Sequence, residues 1–191
     1  MWVRLLLPLP FRNQSSLATF FSAIIYLGDK MTIIEYEDKY LEDVRDLLVE
    51  LGEYIVSIDQ DELEQIHNDY RIKMTEYDLN NVSDYNGKCY LAIEDDKAIG
   101  LIMGTIRQYD EHDYLDYKCP KEGEITELIV TSKIRSNGIG QALMNKMEDY
   151  FKSAGCEYVL VDVFAYNKNG INFYDKQGYH PRMHTEIKQI K

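Results

Sequence analysis

The sequence predicts one α/β domain, a mixed β-sheet with helices packed on both faces. Strand-like and helical segments alternate from residue 31 onward, in the order β-α-α-β-β-β-α-β-α-β. The chain has 191 residues, which is enough to bury a core and is typical of a single domain. No internal repeat or low-complexity linker divides it. We therefore expect one compact unit.

The first half of this order rests on apolar spacing. Residues 32–36 (TIIEY) predict a short strand. A helix follows with apolar residues three and four apart, and Gly52 predicts its end. A second helix is predicted over roughly 61–77. Acidic residues surround its start, where they favour the positive end of the helix dipole.

A β-hairpin is predicted next, with strands at 88–94 and 98–109 and a polar turn between them. Gly100 and Gly104 in the second strand indicate a bulge or the close approach of another backbone. The polar, tyrosine-rich stretch 109–124 predicts a long loop.

The second half begins with a strand at 124–130 that leads through RSNGIG into a helix ending near Ser153. One face of this helix is apolar and should pack on the sheet: Ile139, Leu143, Met147 and Phe151. The β-branched run 158–164 predicts a central strand buried on both faces. A short helix at about 169–177 and one or two strands at 179–190 complete the prediction.

Composition narrows the function. A net charge of −12 argues against nucleic acid as a partner and suits a cationic small molecule or a basic peptide, although acidity also serves solubility. Three widely spaced cysteines, without a paired pattern, indicate reduced thiols and a cytoplasmic location. The four histidines show no metal-ligand spacing, so we expect no metal.

Residues 1–30 differ from the rest, with Arg4, Arg12 and Lys30 against a single acidic Asp29. Their apolar run is broken by prolines and polar residues and does not reach membrane-spanning length, so no membrane partner is expected. We interpret residues 1–30 as an extension outside the domain, which occupies 31–191. A membrane or targeting segment is the alternative.

The segment RSNGIGQ (135–141) lies between a strand and a helix, as phosphate-binding turns do. The GxGxxG fingerprint fails because Leu143 stands at its third glycine, and no lysine follows either glycine as a P-loop requires. Gly138 and Gly140 leave backbone amides uncovered, and Arg135 adds a cation. A diphosphate would fit, although such a turn can also be purely structural.

Two segments together resemble the GNAT N-acetyltransferase superfamily. In LIVTSKIRSNGIGQALM, Arg135, Gly138 and Gly140 occupy the three positions of the pattern (Q/R)xxGx(G/A). In NKNGINFYDKQGY (167–179), the asparagine, the Phe-Tyr pair and the Gly-Tyr pair match its second signature, with Gly170 where alanine is commoner. The resemblance covers about residues 32–185, in the expected order.

This resemblance implies acetyl-CoA as cosubstrate, a splay between the fourth and fifth strands, and direct attack of an amine on the acetyl group. The diphosphate would bind the turn formed by Arg135, Ser136, Asn137, Gly138, Ile139, Gly140 and Gln141. The pantetheine arm would run along Leu128, Ile129 and Val130, with Asn167 as a further contact. For Asn167, a helix cap is the structural alternative.

The resemblance also implies a catalytic base on the fourth strand and a tyrosine acid. Glu127, among apolar neighbours that could raise its pKa, is the preferred base, and Glu124 is the second candidate. Three residues apart on a strand, the two should face opposite sides unless a bulge intervenes. A surface carboxylate with water as proton acceptor is the alternative. Tyr174 is the expected acid, or else a core aromatic.

We expect the acceptor amine to bind at two acidic segments, which the resemblance places near the substrate. They contain Asp59, Asp61, Glu62 and Glu64, then Asp110, Glu111, Asp113 and Asp116, interleaved with Tyr109, Tyr114 and Tyr117. Charge alone favours a cationic amine of a small molecule, with a peptide or protein amine as alternative. A non-catalytic acyl-CoA sensor is the rival function. Relatives of this kind are often homodimers, so a homodimer is one expected assembly.

Overall fold

A computed structural model describes residues 31–134 and 138–190. Within them five strands form one sheet in the order β1-β2-β3-β4-β5. They are β1 (Met31–Glu35), β2 (Lys88–Glu94), β3 (Lys97–Ile106), β4 (Glu122–Val130) and β5 (Tyr158–Val161). The first four pair antiparallel, and β4 pairs parallel with β5. The predicted mixed sheet and its hairpin are confirmed.

In the part of the chain that the structure describes, four α-helices cover the two faces: α1 (Leu41–Ile58), α2 (Tyr70–Asp84), α3 (Ile139–Ser153) and α4 (Lys168–Lys176). One apolar layer joins α1 and α2 to the sheet through Val44, Leu48, Leu91 and Leu101, among others. The other lies under α3, where the predicted face Ile139, Leu143, Met147 and Phe151 is buried as expected. Burial of these two apolar layers is the main favourable contribution to folding.

Helix boundaries on the first face differ from the prediction. Helix α1 does not end at Gly52 but continues to Ile58. The absence of a side chain at Gly52 leaves room for the ring of Tyr70 to pack against the helix. Helix α2 begins at Tyr70, not near residue 61. The apolar spacing that included Leu63 was misleading, since Leu63 is exposed and α2 buries Thr75 and Asp78 instead.

The end of the chain was also predicted wrongly. Among the described residues β5 is an edge strand of four residues, of which Tyr158 is exposed and the other three are partly buried, not a central strand covered on both sides. The stretch 179–190 contains no regular secondary structure and is mostly exposed. An apolar, β-branched run such as β5 can form an edge strand as well as a central strand. Periodicity within the run does not reveal how many neighbouring strands it has.

No helix among residues 31–134 and 138–190 is long and apolar enough to cross a membrane. The prediction that residues 1–30 form an extension lies outside the described residues.

Candidate active site

Strands β4 and β5 separate at one end of the sheet. Their pairing stops at Ile125 and Val161, while β4 continues to Val130. The opening is a cavity of about 240 Å³ between the two strands, the C-terminal half of α1, the loop before α2, and α4. The splay implied by the sequence resemblance is therefore present, and it places the edge of β4 along a cavity.

A bulge in β4 determines which side chains face this region. Met103 pairs with Glu127 and the next residue, Gly104, with Ile125, so Thr126 is an extra residue in β4. Ile125 and Leu128, three apart, consequently both pack towards α3. Glu124 and Glu127 are thereby turned to the same face, which is the exception allowed for in the sequence analysis.

Of the two candidate bases, Glu127 lies in the cavity wall and Glu124 does not. Burial raises the pKa of Glu127 to about 8, and the nearby negative charge of Asp78 adds to this effect. A carboxyl group with such a pKa exchanges protons near neutral pH, as a general base must.

Tyr174 lies on α4 and lines the same cavity. Its ring packs edge-on against Phe173 and Tyr179, with centroids 5.3 and 5.7 Å away. Burial, and secondarily the charge of Glu127, raise the pKa of its phenol to about 12. Tyr174 therefore keeps its proton at neutral pH and can donate it.

Asn167 both caps α4 and lines the cavity. Its side-chain oxygen accepts the backbone N–H of Gly170 at 2.9 Å and the hydroxyl of Tyr54 at 3.0 Å. A Cβ at residue 170 would lie 2.5 Å from the Asn167 amide nitrogen, so glycine is the residue that fits this cap. The departure from the common alanine thus accommodates Asn167.

The loop 59–69 covers one side of the cavity. Asp59 holds its turn by accepting the backbone N–H groups of Asp61, Leu63 and Glu64, which lower the pKa of Asp59. The hydroxyl of Tyr166 donates a hydrogen bond to the Asp61 carboxylate at 2.9 Å. Of the four acidic residues predicted to meet the acceptor in this segment, only Glu64 lines the cavity, and Asp59 has a structural role.

The second acidic segment lies elsewhere. Asp110, Glu111, Asp113 and Asp116 are not among the residues lining the cavity. Asp110 and Asp113 instead accept backbone N–H groups of their own turn. Two of the tyrosines there contact the protein's own cations, since Arg107 lies 5.5 Å from the ring of Tyr109 and Arg182 lies 5.0 Å from the ring of Tyr117. The expected acceptor role of this segment is not supported by its position.

The turn after β4 is only partly described, because Arg135, Ser136 and Asn137 lie outside the described residues. Gly138 has a φ of +78°, the left-handed conformation that favours glycine. A Cβ at Gly140 would make only ordinary contacts, 3.6 Å to Phe173, so packing does not demand glycine there. A ligand lying close to the backbone would explain it, and the N-terminus of α3 suits an anion.

Glu50 on α1 supports the start of this turn. Its carboxylate accepts the hydroxyl of Thr131 at 2.9 Å and the backbone N–H of Ser132 at 2.6 Å. The sequence analysis missed Glu50, and it also missed Tyr70 and Asp162 in the cavity wall. All three depend on contacts between distant segments, which spacing along the chain does not indicate.

Fold and site together define an acetyltransferase of the GNAT kind. The model of the acetyltransferase (GNAT) family matches residues 52–179, about two thirds of the chain. The chain therefore belongs to this family, whose members are acyltransferases that use acetyl-CoA, and the sequence resemblance is confirmed.

Several acetyltransferases are similar in sequence. An uncharacterized N-acetyltransferase of Methanocaldococcus jannaschii is 32% identical over 94 residues, which are 49% of this chain and 53% of that protein. Glucosamine 6-phosphate N-acetyltransferase of Arabidopsis thaliana is 28% identical over 51% of this chain and 62% of its own. Human N-alpha-acetyltransferase 30 is 30% identical over 48% of this chain and 23% of its own. The matches thus span about half of this chain and at most 62% of these relatives.

Solved structures agree in fold. A mutant protein from Bacillus halodurans superposes with a TM-score of 0.73 at 17% identity, covering 84% of this chain and 99% of the other. AAC(6')-Iy, in complex with the bisubstrate analog CoA-S-monomethyl-acetylneamine, superposes with a TM-score of 0.60 at 17% identity, covering 84% and 98%. At these identities the likeness concerns the fold alone.

Proposed function

We propose that this protein transfers an acetyl group from acetyl-CoA to the primary amine of a cationic small molecule. The proposal rests on the cavity at the β4–β5 opening. Its lining includes both the Glu127 carboxyl group, whose pKa is raised, and the protonated phenol of Tyr174. Transfer to an amine needs both a proton acceptor and a proton donor.

The charge of the cavity supports a cationic acceptor. Three carboxyl side chains line it, Glu64, Glu127 and Asp162, and its described lining contains no lysine, arginine or histidine. An ammonium group entering this site would meet only negative or neutral groups, which favours its binding. A phosphorylated amino sugar, the substrate named for the Arabidopsis relative, would find no cation in this lining.

Glu127 is the base in this proposal. The acceptor arrives as an ammonium ion, and its nitrogen becomes nucleophilic only after a proton has moved to a Glu127 oxygen, directly or through one water molecule. The ionised form of Glu127, whose share grows as pH rises towards about 8, accepts this proton far more readily than an ordinary carboxylate does. Glu124, outside the cavity wall, is the weaker candidate.

Tyr174 is the proton donor. As the acetyl group moves to the amine, the carbon–sulfur bond of the thioester breaks and a thiolate leaves. Tyr174 holds its proton well above neutral pH and lies in the same wall as Glu127, so it is suited to protonate the sulfur. No covalent enzyme intermediate is needed, and the described nucleophile candidates do not suggest one: Cys89 is buried with its pKa raised to about 12.

The described residues fit acetyl-CoA. Beyond Ile125, residues 126–128 of β4 border the cavity instead of pairing with β5, which leaves room for an extended chain to lie beside them. The turn at 138–141, with Gly140 not demanded by packing, would hold the diphosphate together with 135–137. When bound, the cosubstrate supplies the activated acetyl group. Leu128, Ile129, Val130 and Asn167 would orient its arm.

Two alternatives share this site. A peptide or protein amine is favoured by the similarity to human N-alpha-acetyltransferase 30, named for acetylation of α-amines. A non-catalytic acyl-CoA sensor would need neither a base nor an acid. The raised pKa of Glu127 would then have no role in its function. We therefore prefer catalysis with a small cationic amine.

An acceptor panel tests the proposal. The protein is incubated with acetyl-CoA and, separately, a polyamine, an aminoglycoside, glucosamine 6-phosphate and a peptide with a free N-terminus, and free thiol is followed. We expect release with a cationic small molecule and none with the phosphosugar. Release of free thiol with the peptide alone would show that the acceptor is a peptide or protein amine. Tight binding of acetyl-CoA without release from any amine would favour the sensor.

We also propose that the protein is cytoplasmic and forms a homodimer. The three cysteines are free thiols, which supports a cytoplasmic location. A homodimer, expected from the resemblance, is tested by measuring the mass of the protein in solution.

A further inference from the structure

A tyrosine on α1 contacts the residue that caps α4. The hydroxyl of Tyr54 donates to the side-chain oxygen of Asn167 at 3.0 Å, although the two residues are 113 positions apart in the chain. Tyr54 is partly buried and is not among the residues that line the cavity, whereas Asn167 is. Tyr54 is therefore placed to act on a ligand in the cavity through Asn167 and not by direct contact.

Two donors fix the orientation of the Asn167 carboxamide. Its oxygen accepts the Tyr54 hydroxyl and, at 2.9 Å, the backbone N–H of Gly170. A carboxamide oxygen has two lone pairs, so both are occupied, and the reversed carboxamide would turn its own N–H groups towards the Gly170 N–H. The nitrogen Nδ2 makes no hydrogen bond among the residues that the structure describes. Its N–H groups are therefore the part of Asn167 that is left for a ligand.

Gly170 belongs to the same arrangement. A Cβ at this position would lie 2.5 Å from Nδ2 of Asn167 and 3.1 Å from its Oδ1. A larger residue would therefore displace the whole carboxamide, and with it the oxygen that accepts the Tyr54 hydroxyl. Tyr54, Asn167 and Gly170 thus form one unit, in which each of the other two residues restricts the Asn167 side chain.

A second hydrogen bond joins the same two parts of the chain without contacting this carboxamide. The hydroxyl of Tyr166, the residue before Asn167, donates to Asp61, which follows α1 by three positions, at 2.9 Å. This bond also holds the segment after β5 against the end of α1. Orientation of the Asn167 carboxamide is consequently the effect that distinguishes the Tyr54 bond from the Tyr166 bond.

We propose that Tyr54 is a positioning residue, which holds the Asn167 carboxamide so that its N–H groups donate to a carbonyl oxygen of the acyl-pantetheine arm. The amide and thioester carbonyl groups of the arm accept hydrogen bonds and carry no charge, which suits a neutral donor. Asn167 lines the same cavity as residues 126–128 of β4, beside which the arm would lie. This inference rests on the proposed binding of acetyl-CoA there, and it adds a residue outside the cavity wall on which that binding depends.

Calorimetric titration with acetyl-CoA, without any amine, tests the proposal. Tyr54→Phe keeps the ring and loses only the hydroxyl, and we expect its dissociation constant to rise about three- to tenfold, as for the loss of one hydrogen bond. Tyr166→Phe is the matched control and should bind acetyl-CoA as the wild-type protein does. The phosphorylated ADP part of CoA, which lacks the arm, should bind equally to Tyr54→Phe and to wild type. Unchanged acetyl-CoA affinity in Tyr54→Phe, or an equal loss in Tyr166→Phe, overturns the proposal.

A double-mutant cycle tests whether Tyr54 acts through Asn167. In an Asn167→Ala background, Tyr54→Phe should change the acetyl-CoA affinity by less than about twofold, and additive losses would contradict the proposal. Asn167→Asp separates the donor from the helix cap, because aspartate accepts from Gly170 and Tyr54 as asparagine does but has no N–H group. We expect this variant to bind acetyl-CoA more weakly. Wild-type affinity in Asn167→Asp would show that Asn167 is only a helix cap.

Nitrogen–proton NMR observes the carboxamide itself. The Asn167 side-chain resonances are assigned as the pair missing from Asn167→Asp, and saturating acetyl-CoA should move one of their proton signals downfield in the wild-type protein. A pair that stays in place overturns the proposal. Failure of the proposed function has separate signatures. Acetyl-CoA that does not bind the wild-type protein contradicts both, whereas acetyl-CoA that binds without acetylation of any amine contradicts catalysis and leaves these binding measurements decisive for Tyr54.

Discussion

Replacing Glu127 by Gln is expected to stabilise the protein by an amount that grows with pH. The ordinary pKa of 4.5 applies in the unfolded chain, and burial raises it to about 8 in the folded state. Between these values the unfolded chain is ionised while the folded protein holds the proton, so unfolding releases a proton and stability falls as pH rises. Below pH 4.5 both states are protonated, and the penalty is absent.

The magnitude follows from the shift. A difference of about 3.5 units at 1.36 kcal/mol each corresponds to roughly 5 kcal/mol above pH 8, as an upper limit. Glutamine cannot ionise, so Glu127→Gln should match the wild-type protein near pH 4.5 and exceed its free energy of unfolding by several kcal/mol at pH 8.5. The same variant should lose about 10²- to 10⁴-fold in kcat/KM and lose the alkaline rise in rate near pH 8.

Urea unfolding at a series of pH values between 4.5 and 8.5 measures this difference. Glu124→Gln is the matched control, because Glu124 lies on the same face of β4 but outside the cavity wall. Its free energy of unfolding should follow the pH dependence of the wild-type protein. If Glu127→Gln and wild type also run parallel across this range, Glu127 does not have the raised pKa on which the proposed base depends.

Three further substitutions test other parts of the site. Tyr174→Phe should lower kcat about 100-fold with nearly unchanged acetyl-CoA affinity, and an unchanged rate would contradict its role as acid. Gly52→Ala places a Cβ 2.8 Å from the hydroxyl of Tyr70 and should cost about 1–3 kcal/mol in urea unfolding, whereas a gain would show that α2 moves aside freely. Glu50→Ala removes two hydrogen bonds from the turn after β4 and should weaken acetyl-CoA binding about tenfold by calorimetry. The exposed Glu53→Ala on the same helix is its control, and equal affinities in both variants would contradict the anchoring role.

Local patterns predicted well wherever one element buries a single face. The apolar residues of α3 recur three and four apart, and all four that were named are buried. The hairpin of β2 and β3 was predicted from two apolar runs around a polar turn, and it pairs as expected. Such elements succeed because the periodicity of their side chains reflects the one surface they cover.

Prediction failed where a segment's partner lies far away in the chain. The start of α2 was placed too early, because Asp59 satisfies three backbone N–H groups of a loop that the apolar spacing had suggested as helix. The run at β5 was expected in the centre of the sheet and lies at the edge of the sheet that the described residues form. Neither outcome is encoded in periodicity, which describes a segment and not its neighbours.

By itself the sequence determined the family, the order of the elements and the identity of Tyr174 and Glu127 as candidates, because motif residues and side-chain periodicity are local properties. The tertiary structure alone decided how they meet. A single extra residue at Thr126 turns Glu124 and Glu127 to one face, and the divergence of β4 from β5 leaves only Glu127 in the cavity. The raised pKa of Glu127, about 8, arises mainly from exclusion of water around its carboxyl group, which only the packed fold produces.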